Sequence, residues 1–78
     1  NPIASIFAWT QGLSHRGRMD GNEALMAFAA KLEDTIIKTV EAGFMTKDLA
    51  LLVGDHQGWL STQGFLDKID ERFQVAMA

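Results

Sequence analysis

Thr46-Lys47-Asp48 puts a hydroxyl, an ammonium and a carboxylate on successive residues, between a glycine at 43 and a new apolar run. Two chemistries are open to this triplet. A threonine oxygen ahead of a helix accepts from a first-turn N–H, and an acid in that turn complements the helix dipole. A helix end that presents an acid can also receive a ligand's amino group, and the exocyclic amine of adenine is one such donor. The two roles do not exclude each other.

Elsewhere the chemistry is sparse. His15, Arg16 and Arg18 form a basic end suited to an anion or simply to solvent. His15 and His56 have no acidic or histidine neighbour at ligand spacing, so no metal site is expected in this chain. Asp67, Asp70 and Glu71 alternate with Lys68 and Arg72 as a salt-bridged exposed face would. GLSHRG (12–17) lacks the spacing of a phosphate-binding loop and any strand before it. No Ser/His/acid set can be assigned. Trp9, on a helix, reads as core or interface; Trp59, in a loop, reads as the anchor that pins it.

The elements that must position these residues are helical. Asn1 is a good N-cap and Pro2 suits a first helical position. Ile3, Ile6, Phe7, Thr10 and Leu13 follow at helical spacing, with Gly17 and Asp20-Gly21 expected to end the helix near residue 18. Asn22 caps a second helix, whose apolar stripe is Leu25, Phe28, Ala29, Leu32, Ile36 and Val40. Asp34 and Lys38 face outward four residues apart, the acid first. Gly43 has the place of a left-handed C′ residue, followed by an apolar Phe44, as in a Schellman motif. Thr46 then caps a short helix over about 47–53, ended by Gly54. GDHQGWLS (54–61) is a loop, and Ser61 or Thr62 starts a last helix that keeps Phe65, Leu66, Ile69, Phe73 and Ala76 on one face. No segment alternates with period two over strand length. The chain reads as all-α: three substantial helices and one short one, forming a single segment over 1–78.

Composition bounds what such a segment does. Seven basic residues against ten acidic ones give a net charge of −3, against the basic excess that phosphate backbones require. No apolar run approaches the length of a membrane span, and no signal-peptide pattern appears. A cytoplasmic setting is the expectation compatible with this. At 78 residues, without cysteine, the chain buries only about 60% of its unfolded surface and has no disulfide to compensate. A first residue other than Met, already inside a helix-start signal, leads us to expect a piece of a longer chain.

NPIASIFAWTQGLSHRG (1–17) and LEDTIIKTVEAGFMTKDLA (32–50) together resemble the C-terminal part of the NADP-dependent isocitrate dehydrogenases, in their homodimeric eukaryotic and bacterial form. NPIASIFAW, L-x-HR at 13–16 and T-x-E-x-G-x-M-T-K-D-L at 39–49 carry the resemblance; residues 53–78 match mainly in pattern, and WLST-x-x-FLD (59–67) points to a bacterial version. Gln11 departs from the arginine often found there. The resemblance implies a parent that oxidises isocitrate to 2-oxoglutarate and CO2, with NADP as hydride acceptor and Mg2+ or Mn2+ as Lewis acid. It implies that the metal, isocitrate and 2′-phosphate residues and the catalytic tyrosine and lysine lie upstream of Asn1. What it maps onto this chain is cofactor binding: Asn1 and Asp48 at the adenine, with Lys47 adjacent. Catalytic and metal-binding residues are none here. The segment would pack on the large α/β domain of the isocitrate/isopropylmalate dehydrogenase fold, with the rest of the subunit and the homodimer mate as partners. Alone, it would be inactive, bind no cofactor, and self-associate or exchange helices. The alternative is an autonomous helical interaction module sharing only pattern with the enzyme.

Overall fold

The computed structural model describes residues 2–78 and has four helices: α1 (Pro2–Asp20), α2 (Glu23–Glu41), α3 (Lys47–Val53) and α4 (Thr62–Met77). No strand occurs among the described residues, so the all-α expectation holds. Asn1, expected as the first N-cap and as a cofactor contact, lies outside the described residues.

α1 and α2 are joined by two residues and fold back on each other as a helical hairpin. Gly21 takes a left-handed φ of 66°, and the Asn22 N–H donates to the Gly17 carbonyl at 2.7 Å, closing the end of α1. The Asn22 side chain in turn accepts from the Leu25 N–H at 3.0 Å, starting α2 as expected. α1 runs to Asp20, two residues past the expected end near 18, and so passes through Gly17. Gly17 is buried where the two helices approach: a Cβ there would stand 2.9 Å from Met26 Cγ and 3.0 Å from the Asn22 carbonyl oxygen. This glycine is a close-contact residue rather than a break.

α2 ends as the sequence predicts. Gly43 has φ 99°, its N–H donates to Val40 O at 2.9 Å, and the Phe44 N–H reaches Thr39 O at 3.1 Å. Those are the two hydrogen bonds of a Schellman motif. The Phe44 ring then lies under two cations of α4, with Lys68 Nζ 4.7 Å and the Arg72 guanidinium 5.8 Å from its centroid.

The core sits between α2 and α4. Ile36, Phe65 and Ile69 are buried together, with Ile3, Ile6 and Phe7 of α1, Leu32 and Val40 of α2, and Leu60 packed against them. Phe28 makes an edge-to-face contact with Phe73 at 5.4 Å and with Trp9 at 6.4 Å. Thr10, Thr35 and Thr39 are buried as well. Their hydroxyls are satisfied: Thr10 by Glu33 Oε1 at 2.6 Å, Thr35 by Lys31 O at 2.8 Å, Thr39 by Thr35 O at 2.6 Å.

The molecule is elongated, 46 × 25 × 18 Å, with a radius of gyration of 13.7 Å. A compact domain of this length has about 11.5 Å. Large apolar side chains accordingly stay in solvent, among them Leu51, Leu52 and Val53 on α3, with Leu52 84% exposed. Among the described residues, no helix is long and apolar enough to cross a membrane.

Candidate functional site

The left-handed turn at Gly43 sends the chain through Phe44, Met45 and Thr46 into α3. Met45 and Thr46 are buried, which fixes this entry. The loop after α3 is strapped back onto it: the Leu60 N–H donates to Met45 O at 2.8 Å, Thr46 and Leu60 form an isolated parallel bridge, and Gln57 Nε2 reaches Gly43 O at 2.9 Å. Ser61 then caps α4, its Oγ accepting from the Gly64 N–H at 3.0 Å.

These straps bring two distant stretches together. Thr46, Lys47 and Asp48 form one wall of an open groove of ≈ 450 Å³; Trp59, Leu60, Ser61 and Thr62 form the other, and Pro2 of α1 closes one side. The groove therefore adjoins the start of α1. Lys47 and Asp48 are both exposed at its rim.

The cap of α3 differs from the expected one. Thr46 is the N-cap residue by backbone conformation, but its hydroxyl accepts no first-turn N–H. It donates instead to the Asp48 carboxylate. This hydrogen bond holds the Asp48 carboxyl below its ordinary value; partial desolvation opposes it, and the backbone N–H of Leu49 reinforces it. The carboxylate has replaced the hydroxyl as acceptor at the helix start. The result is an oriented anion at the groove rim.

Trp59 is not the buried anchor that its loop position suggests. It is 54% exposed, and Lys47 Nζ sits 5.4 Å from its ring centroid. Backbone bonds and Gln57 pin the loop, which leaves the indole to face the groove. Sequence reasoning missed this contact because its only signal is the long-range Met45–Leu60 pairing.

Three of the remaining cations form local pairs. Arg16 Nε is 2.8 Å from Asp20 Oδ2 on the same helix, Lys38 Nζ is 3.0 Å from Asp34, and Lys68 Nζ is 3.3 Å from Glu71. The first two are exposed pairs of small energetic weight, while in the third Lys68 is half-buried and Glu71 exposed. Among the described residues, no three His, Asp or Glu side chains gather as a metal site would need.

The groove wall places a carboxylate and an ammonium on successive residues, Asp48 and Lys47. The carboxylate can accept a hydrogen bond and the ammonium can donate one, so the rim offers both polarities to a polar ligand. Among the described residues that line the groove, Lys47 is the one basic side chain.

No protein-family model matches the chain. All 78 residues align at 55% identity with the protein named "Isocitrate dehydrogenase [NADP] 1" from Mycobacterium tuberculosis and with its namesake from Mycobacterium bovis. Isocitrate dehydrogenase [NADP] from Sphingobium yanoikuyae is likewise 55% identical over the same 78 residues. In each case the match covers the whole of this chain but 19% of the relative, so the chain spans about a fifth of the length of the curated proteins it matches. The matched fifth is their C-terminal part.

Proposed function

We propose that this chain, homologous over its whole length to the C-terminal part of NADP isocitrate dehydrogenases, serves in such an enzyme by backing the adenine side of the cofactor cleft. The subunit carrying it oxidises isocitrate to 2-oxoglutarate and CO2 and passes the hydride to NADP. Asp48 accepts from the adenine amine, Lys47 donates beside it, and Asn1 is the third adenine contact that the resemblance implies. The observation that carries the reading is the groove itself, which Lys47 and Asp48 line together with Pro2 although 44 residues of chain lie between Pro2 and Lys47.

Asp48 suits this role because its anion is held in place before any ligand arrives. The Thr46 bond fixes its orientation and favours the charged form, so an amine meets an oriented acceptor. A carboxylate has about four acceptor positions, enough to hold helix donors and a ligand donor together. The described residues do not fit the divalent ion, and no step of the reaction runs through a metal held here. Residues outside this chain hold the metal, isocitrate and the 2′-phosphate.

The partners follow from the unburied apolar side chains. Leu51, Leu52 and Val53 on α3 are covered by the rest of the subunit or its homodimer mate. A steady-state assay tests the function. The full-length subunit is expected to form NADPH from isocitrate with Mg2+ or Mn2+, and the isolated 78-residue chain is expected to form none. A full-length subunit inert with isocitrate and NADP would overturn the reading.

A further inference from the structure

We infer that Trp59 is a positioning residue of the adenine site, holding the Lys47 ammonium at the groove rim beside Asp48. The inference rests on the adenine reading above and extends it to a residue that neither the resemblance nor the relatives' names assign.

Three observations carry it. Lys47 Nζ stands 5.4 Å from the indole centroid, inside the range of a cation–π contact. Both residues line the same groove, on opposite walls. And Trp59 is held there by backbone: Leu60, the next residue, donates to Met45 O, and Thr46 pairs with Leu60 directly before Lys47. The indole thus stands on a rigid support, whereas Lys47 sits on a flexible four-carbon stem. A free lysine loses rotamer entropy whenever its ammonium is fixed on a ligand. Contact with a supported indole restricts that freedom beforehand, so less is lost on binding.

The contact also decides what the groove can read. Asp48 alone attracts any amine. With the Lys47 ammonium held on the same groove, the site offers a donor as well as an acceptor, the two polarities that adenine's amine and ring nitrogen call for. Trp59 therefore contributes to base recognition through Lys47, not through the reaction.

The test is a double-mutant cycle on the full-length enzyme, with W59A, K47M and the double variant assayed for KM of NADP, KM of isocitrate and kcat. W59A is expected to raise KM for NADP about fivefold, with kcat at saturating NADP and KM for isocitrate unchanged. K47M is expected to raise it at least as much, and adding W59A to K47M to have little further effect. W59F, which keeps an aromatic face, is expected to recover most of the loss. If K47M raises KM for NADP while W59A does not, or if the two effects add, Trp59 does not act through Lys47 and only this inference falls. If K47M leaves KM for NADP unchanged, the groove is not the adenine site, and the inference falls with the reading beneath it. A drop in thermal stability with parallel changes in both KM values would assign Trp59 a purely structural role and overturn the proposal.

Discussion

The Thr46 hydroxyl donates its hydrogen bond to the Asp48 carboxylate, two residues on, instead of accepting one from the first turn of α3. The order of donor and acceptor matters. A hydroxyl acceptor would have satisfied a backbone N–H and left the acid to solvent. A hydroxyl donor turns the acid into the fixed element of the pair.

This arrangement predicts a pH signature. Asp48 titrates below its ordinary value when folded, so its contribution to stability is complete above the unfolded carboxylate value of about 4. The contribution is lost as pH falls through the lowered folded value. Removing the donor with T46V should move the Asp48 carboxyl back up toward the ordinary value. Carbon-detected NMR titration of the side-chain carboxyl checks this, and an unshifted midpoint would show that Thr46 is not the cause.

Gly17 and Gly12 should respond oppositely to alanine. At Gly12 an added Cβ meets nothing within 4 Å, and the residue lies inside α1, so G12A should stabilise by about 0.5–1 kcal/mol. At Gly17 the Cβ would press on the Asn22 carbonyl and on Met26, and G17A should destabilise by about 1–3 kcal/mol. Urea midpoints of the two variants decide it. Equal gains would mean that the helices do not approach at Gly17.

Thr10 supplies a buried hydroxyl to Glu33, tying α1 to α2. T10V keeps the shape but leaves that carboxylate short of a donor, at an expected cost of about 1–3 kcal/mol. T10S keeps the hydroxyl and should recover most of it. If both variants behave alike, packing and not the hydrogen bond holds the pair.

The exposed face of α3 predicts association. Leu51, Leu52 and Val53 stand in solvent on a short helix, and the isolated 78-residue chain should self-associate to cover them. Light scattering over a concentration series is the measurement. L52K, at a residue 84% exposed, should reduce association without lowering the urea midpoint. A chain that stays monomeric at high concentration would speak against a covered face.

What was legible in the sequence was local. The Asn22 cap, the Gly43–Phe44 helix end and the Asp34–Lys38 pair each involve residues within about one or two turns, and all formed as expected. The misses depend on where a second element lies. Gly17 is a weak helix residue by itself, and only the approach of α2 explains its presence inside α1. Thr35 and Thr39 are polar letters in the core because each hydroxyl bonds a carbonyl one turn back, which hydropathy does not register. Trp59 reaches Lys47 because a backbone bond from Leu60 to Met45 spans the loop, and no spacing rule anticipates that. For the site itself, the resemblance supplied Asp48 and Lys47, and the fold added the groove that joins them to Pro2.

The adenine assignment of Asp48 is tested most directly by the preference of the full-length enzyme for NADP over its hypoxanthine analogue. That analogue keeps the phosphates, riboses and nicotinamide but replaces the 6-amino donor with a carbonyl acceptor. Facing a carboxylate, it should be used at least about tenfold less efficiently by kcat/KM. In D48N the side-chain amide can donate to that carbonyl, so the preference should shrink toward unity. A preference that is the same in wild type and D48N would contradict the account.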